Sequence, residues 1–340
     1  MDRLSFFKHG LGRIMETAQS IIGLGQAVNT FTEVVDEALS EIKSDMGLHL
    51  PTLDALVYEN AEQALRELSQ AGYTAIEVGS YFFGKVHYKT PEEFRALADK
   101  YGLKITSAHV HHLYELPAAQ SEEANEGEGE GDELTNEAQT TEQDCGAAAV
   151  EAKGAKTQES TNPNDEWWKE AIKAHKILGC KYITMQRMPE QMTRQDAELY
   201  AEYFNRIGEL ALEEGMRFQF HPTSEILETK IDGESLLDII MAGCDAEKVW
   251  LQIDTLECLM ANVDCLSLLQ KYEGRILTMH LHDRGTAGES GEIDFEKLIS
   301  KAIKLKVEEL YVEVNSFSLP PMNCVERSIN YMLSLPSVRY

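Results

Sequence analysis

The sequence predicts a (β/α)₈ barrel, and three observations lead there. Strand-like and helix-like patterns alternate eight times from about residue 46 onward, an alternation that calls for a parallel sheet covered by helices. Four strand runs of the second half carry a His, Asp or Glu at or near their ends, roughly 25 to 35 residues apart, the spacing of successive strand-plus-helix units. Setting aside residues 1–45 and an acidic stretch at 121–166 leaves 249 residues, close to the ~250 typical of this barrel.

The elements follow in order. MGLHL (46–50) is the first strand candidate, and helix 60–72 sets Ala64, Leu65, Leu68 and Ala71 on one face before Gly72 stops it. Strand 74–78 precedes helix 91–102, which opens with Pro91 and closes with Gly102. Strand 103–109 leads into the acidic stretch. Helix 167–179, strand 181–186 and a long helix over 193–215 come next, the last with Thr193 as N-cap and Gly215 as its stop. The plan then repeats: RFQFH to His221 with helix 233–242, and VWLQID to Asp254 with helix 263–272. ILTMH to His280 precedes helix 294–304, and ELYVEV, carrying Glu313, precedes helix 322–334.

The domain organisation is an N-terminal helical extension over 1–45 and a barrel over 46–340, interrupted at 121–166. That insert holds 14 acidic and 2 basic residues among Gly, Ala, Thr and Asn. Such a composition cannot bury enough apolar surface to offset its ordering entropy, so disorder is expected. The start of the chain is basic but lacks the 7–15-residue apolar stretch of an export signal. Of the net charge of −27, the insert carries −12 and the remainder −15. An acidic body is a poor partner for nucleic acid or an anionic membrane, and no apolar run approaches the ~20 residues that span a bilayer. The six cysteines (Cys145, Cys180, Cys244, Cys258, Cys265, Cys324) form no CxxC pair. Free thiols in a reducing, cytoplasmic setting are expected.

The residues carrying chemistry sit at the strand ends. His221, Asp254, His280 and Glu313 offer two imidazoles and two carboxylates, a set suited to one divalent ion such as Mn²⁺, Co²⁺, Zn²⁺, Fe²⁺ or Mg²⁺. Ligands at the C-terminal ends of parallel strands converge at a barrel's mouth. Glu77, His109 and Gln186 end earlier strands and are candidate substrate contacts, with His49, His111, His112 and Arg187 near the same mouth. In MHLHDRG (279–285), His282 shares a face with His280 if the strand runs that far. Asp283 could orient an imidazole, and Arg284 could hold a phosphate or carboxylate. Neither a Gly-rich phosphate loop, nor GxSxG, nor HExxH occurs, which argues against the familiar nucleotide, serine and zincin hydrolases.

The runs LRELSQAGYTAIEVGSYFFG, LADKYGLKITSAHVH, YFNRIGELALEEGMRFQFHP, IDTLECLMANVD and GRILTMHLHD resemble the sugar phosphate isomerase/epimerase family, the xylose-isomerase-like barrels. The resemblance covers about 46–113 and 167–334. It implies one divalent metal at His221, Asp254, His280 and Glu313, and a small sugar, keto-sugar or polyol as substrate. Many epimerases of the family have Glu at the position of His221, and HLHD replaces their commoner HLKD. Only Glu313 therefore remains of a two-glutamate proton shuttle. The implied chemistry is an enediolate-type proton transfer by an isomerase, epimerase or related lyase, with Glu313 as base and His282 or Glu77 as partner acid. A non-catalytic sugar-binding barrel is the alternative, and an abasic-site endonuclease a more distant one.

Overall fold

The structure, a computed structural model, describes residues 46–112, 163–186, 188–189 and 191–339. The extension read at 1–45, most of the insert, and Arg187 lie outside the described residues. Eight parallel strands close into a barrel in chain order. They are β1 (Met46–His49), β2 (Ala75–Val78), β3 (Lys104–Val110), β4 (Tyr182–Met185), β5 (Arg217–Phe220), β6 (Val249–Asp254), β7 (Ile276–His282) and β8 (Glu309–Glu313). The covering helices are α1 (Asp54–Ala71), α2 (Pro91–Lys100), α3 (Pro163–Leu178), α4 (Arg194–Glu213), α5 (Leu236–Gly243), α6 (Cys265–Lys271), α7 (Phe295–Lys304) and α8 (Pro321–Met332).

Local chemistry explains the boundaries. Thr90 and Thr193 each cap the helix that follows in a reciprocal box, with Glu93 and Asp196 as partners. α1 runs from Asp54 but breaks at Asn60, whose side chain accepts from the Gln63 amide at 3.1 Å. The helix read as starting at residue 60 is thus the part beyond that break. α3 begins at Pro163, so the last four residues assigned to the insert are helical, and Arg206 binds Asp165 there at 2.7 and 2.9 Å. A proline and two acidic residues suit a helix's first turn. Two short hairpins, Tyr81–Phe82 with Lys85–Val86 and Lys230–Ile231 with Glu234–Ser235, stand in what read as loops.

Alternation along the strands makes two interiors. Phe218 and Phe220 face the helices, where Phe204 of α4 meets both rings. Each such buried ring stabilises the fold by roughly 1.5–3 kcal/mol. The residues between them point into the barrel, and there the filling is polar rather than Val, Ile and Leu. Gln219 donates to Thr184, Thr278 donates to Gln219, and Gln252 donates to both Thr278 and Glu77, over 2.8 to 3.2 Å. Lower down, the Tyr311 ring crosses the barrel over Gly47, where a Cβ would sit 2.4 Å from it.

Candidate metal centre

Strand register sets the site. Asp254 pairs with His280, His282 with Glu313, and His49 with Glu77 across neighbouring strands. β7 does continue to His282, so both its histidines project into the mouth. His221 follows β5 directly, its amide donating to Met185 O at 2.9 Å.

Asp254 divides its carboxylate between two duties. Oδ1 accepts from the Leu256 and Glu257 amides at 2.6 and 2.9 Å and so caps the short helix Thr255–Met260. Oδ2 faces the site, 2.9 Å from His282 Nδ1, 3.7 Å from His280 Nδ1 and 3.9 Å from His221 Nε2. His280 Nδ1 also lies 2.5 Å from Glu313 Oε2, yet it has no aligned hydrogen bond. Glu313 Oε1 accepts from Asn315 at 2.7 Å. Buried ligating atoms of His221, Asp254 and His280 lie within 4.8 Å of one another, as do those of Asp254, His282 and Glu313. An imidazole nitrogen packed against two carboxylate oxygens calls for positive charge at that point, as a proton on the ring or as a bound cation. This nitrogen-and-oxygen donor set fits a divalent ion.

Electrostatics agree with that polarity. Burial would raise the Glu77, Asp254 and Glu313 carboxyls, but the surrounding histidines hold all three below the ordinary range. Burial would lower His280, but Glu77 and Glu313 hold it well above its usual value; burial also opposes the charge on His282, which Asp254 nonetheless raises. His221, buried and beside His280, is pushed down to about 4. Burial likewise drives His109 well down, and its Nε2 has no partner.

A cavity of about 510 Å³ opens beside the centre, lined by His111, Gln186, Met188, Pro189, Thr223, Glu225 and Ile226. Gln186 is thus among the residues that line this cavity. His109 lies deeper, its ring 5.1 to 5.5 Å from those of His49, His221 and His280. Arg284 is drawn away instead: exposed at the rim, it binds Glu292 at 2.5 Å and does not line the cavity. Glu77 needs a correction as a substrate contact. It is wholly buried beneath the histidines, and both its oxygens are taken by protein donors. The sequence reading missed the polar layer of Thr184, Gln219, Gln252 and Thr278. Its signal was present, since each is a polar residue between apolar neighbours in a strand. Trp167 also escaped notice; it stacks on His112 at 4.0 Å and 8°.

Known proteins share this architecture. The profile of the xylose isomerase-like TIM barrel family matches residues 65–335. The inosose dehydratase of Geobacillus thermodenitrificans is 33% identical over 91 residues, which are 27% of this chain and 30% of that protein. The match thus spans less than a third of that relative's length. Among solved structures, a sugar phosphate isomerase/epimerase from Parabacteroides distasonis superposes with a TM-score of 0.69 at 22% identity, over 87% of this chain and 100% of that one. The IOLI protein with a bound zinc atom superposes with a TM-score of 0.58 at 11% identity, over 87% and 99% of the two chains. At these identities the superpositions show a common fold.

Proposed function

The chain belongs to the xylose isomerase-like TIM barrel family, and on that premise we propose a metal-dependent isomerase, epimerase or related lyase acting on a small sugar, keto-sugar or polyol. The observation that carries this reading is the convergence of two imidazoles and two carboxylates beside a cavity that Gln186, Thr223 and Glu225 help to line. His221, Asp254, His280 and Glu313 are the residues that hold the ion. When bound, a divalent ion there supplies charge stabilisation at a carbonyl and its neighbouring hydroxyl, which makes the α-proton removable near neutral pH.

Glu313, steadied by Asn315, is the base that takes that proton. His282, oriented through Nδ1 by Asp254, is the partner acid that returns a proton to the neighbouring atom or the opposite face. Gln186 and His109 contact substrate hydroxyls. The lining residues include Glu225 and, among the described ones, no Lys or Arg, which suits a neutral substrate. The activity in the Geobacillus relative's name supports a keto-polyol such as an inosose. Nucleic acid and membrane are not partners in this reading. The body is acidic, and among the described residues no helix is long and apolar enough to cross a membrane. The five described cysteines are free and buried, which supports a reducing, cytoplasmic setting.

The test is to load the protein with Mn²⁺, Co²⁺ or Zn²⁺ and incubate it in D₂O with ketoses, keto-inositols and 3-keto-glycosides. Deuterium entering the carbon next to a carbonyl supports the reading and names the substrate class. Stoichiometric metal with no exchange on any of the panel would favour a non-catalytic sugar-binding barrel.

A further inference from the structure

Glu77 enters the barrel from β2 and is completely enclosed. Four side chains meet its carboxylate, each from a different strand. His49 Nδ1 and His280 Nε2 lie 2.7 and 2.6 Å from Oε2. Ser107 Oγ and Gln252 Nε2 donate to Oε1 over 2.7 and 2.8 Å. An ionised carboxylate only accepts hydrogen bonds, so each imidazole nitrogen facing it carries the hydrogen. In a neutral imidazole the lone pair then belongs to the other nitrogen. For His280 that nitrogen is Nδ1, the atom that faces Asp254 and Glu313. For His49 it is Nε2, on the far side of the ring from Glu77. His49 ends β1 at the mouth, its ring 4.7 Å from that of His280, in one group with His280 and Glu313 whose ligating atoms lie within 4.8 Å. A substrate held against Glu313 therefore meets His49.

We propose that Glu77 is the positioning residue of this site. One of its oxygens sets the tautomers of two histidines at once, giving His280 Nδ1 to the ion and His49 Nε2 to the substrate. The inference deepens the reading of His280 as a ligand and adds His49 as a substrate-contacting group. Its reach comes from sharing: the metal side and the substrate side hang on the same atom, Glu77 Oε2. Partners of this kind behind a metal-bound histidine typically change metal affinity by roughly 10–100-fold when removed.

The experiment uses zinc alone and the full chain with ¹⁵N-labelled histidine. Long-range ¹H–¹⁵N correlation of the zinc-loaded protein should show His280 as the Nε2–H tautomer with Nδ1 on zinc, and His49 as the Nδ1–H tautomer. The opposite tautomer at either ring overturns the proposal. In Glu77→Gln, chelator competition should find zinc bound about 10- to 100-fold more weakly, and His49 should no longer show a single tautomer. A Glu77→Gln protein that keeps the parent's zinc affinity overturns the proposal. His49→Gln should keep that affinity, because His49 faces substrate; a loss as large as in Glu77→Gln would make His49 a ligand and overturn the assignment. Should Glu77→Gln fail to fold, the parent's spectrum and His49→Gln still decide. None of these readouts involves a sugar, so a failed substrate panel and a failed tautomer assignment are separate results.

Discussion

The two ends of the barrel are both crowded with charge, and they treat it differently. At the end where the strands begin, Arg217 holds Glu308 through two contacts of 2.6 Å, and Tyr182 OH donates to the same carboxylate at 2.6 Å. Lys181 binds Glu309 at 2.8 Å, and Tyr311 OH donates to Glu309 and meets Thr106, each at 2.8 Å. No buried polar side-chain atom of these residues lacks a hydrogen bond. At the mouth, His109 Nε2, His221 Nδ1, His280 Nδ1 and His282 Nε2 are all buried without one. Density of charge is thus common to a structural floor and a functional mouth. What separates them is a cluster of buried imidazole nitrogens left without a protein partner, which is uncommon in folded proteins and leaves them open to a ligand.

The contrast breaks first at Glu313. Glu313→Gln should lower turnover by roughly 10²–10⁴-fold while keeping part of the metal, because an amide oxygen coordinates weakly but cannot take a proton. Near-parent turnover at full metal content would reduce Glu313 to a ligand. His280→Ala should lose metal and activity together, read by metal analysis after purification; an active variant with stoichiometric metal would remove His280 from the centre.

The two ends should also answer pH with opposite signs. Burial lowers His280, but Glu77 and Glu313 hold it well above its ordinary value. In the metal-free protein its stabilisation is complete below about pH 6.5, the unfolded value, and is lost as pH rises through the folded value. Glu308 is held low, first by its hydrogen bond from Arg217. Its contribution is present above about pH 4.3 and is lost as pH falls through its folded value. The carboxylates of the mouth share that acid loss, so the alkaline limb is the distinguishing one. Zinc should abolish the alkaline limb, since the ion takes the proton's place and releases it. Melting curves against pH with and without zinc check this; a metal-free protein with no alkaline decline would sink it.

The smallest effect belongs to the floor. Glu308→Ala leaves the partly exposed Arg217 free to hydrate but takes the acceptor from the hydroxyl of the buried Tyr182, so the cost is about 1–2 kcal/mol, a Tm drop of roughly 2–4 °C. Metal content should not change. A Glu308→Ala protein that lost metal would show that the two ends are coupled.

Much of the mouth was legible because strand alternation is local: Asp254, His280 and Glu313 could be placed from runs of four to seven residues. His282 was legible for the same reason once β7 was allowed to continue. The role of Glu77 was not, since its four donors come from strands up to 203 residues away and only closure of the barrel brings them together. Arg284 misled because nothing nearby in the chain announces that Glu292 will hold it. The start of α3 was hidden by composition, as the acidic residues that favour a helix's first turn also continue an acidic run. The two hairpins have two-residue strands, too short for any period to register.

The capping of the helix after β6 has a consequence for which ions the proposed centre admits. Two backbone amides hold Asp254 Oδ1, and Asn315 engages Glu313 Oε1, so each carboxylate would offer a single oxygen to an ion there. Ca²⁺ draws six to eight oxygens around itself, often by taking carboxylates two atoms at a time. A cup of two nitrogens and two single oxygens, with no carboxylate free to swing into a second contact, denies it that shell. Borderline ions that accept imidazole and need fewer donors lose nothing by the same restriction. Two peptide N–H groups outside the centre would thus set its discrimination between calcium and the transition metals.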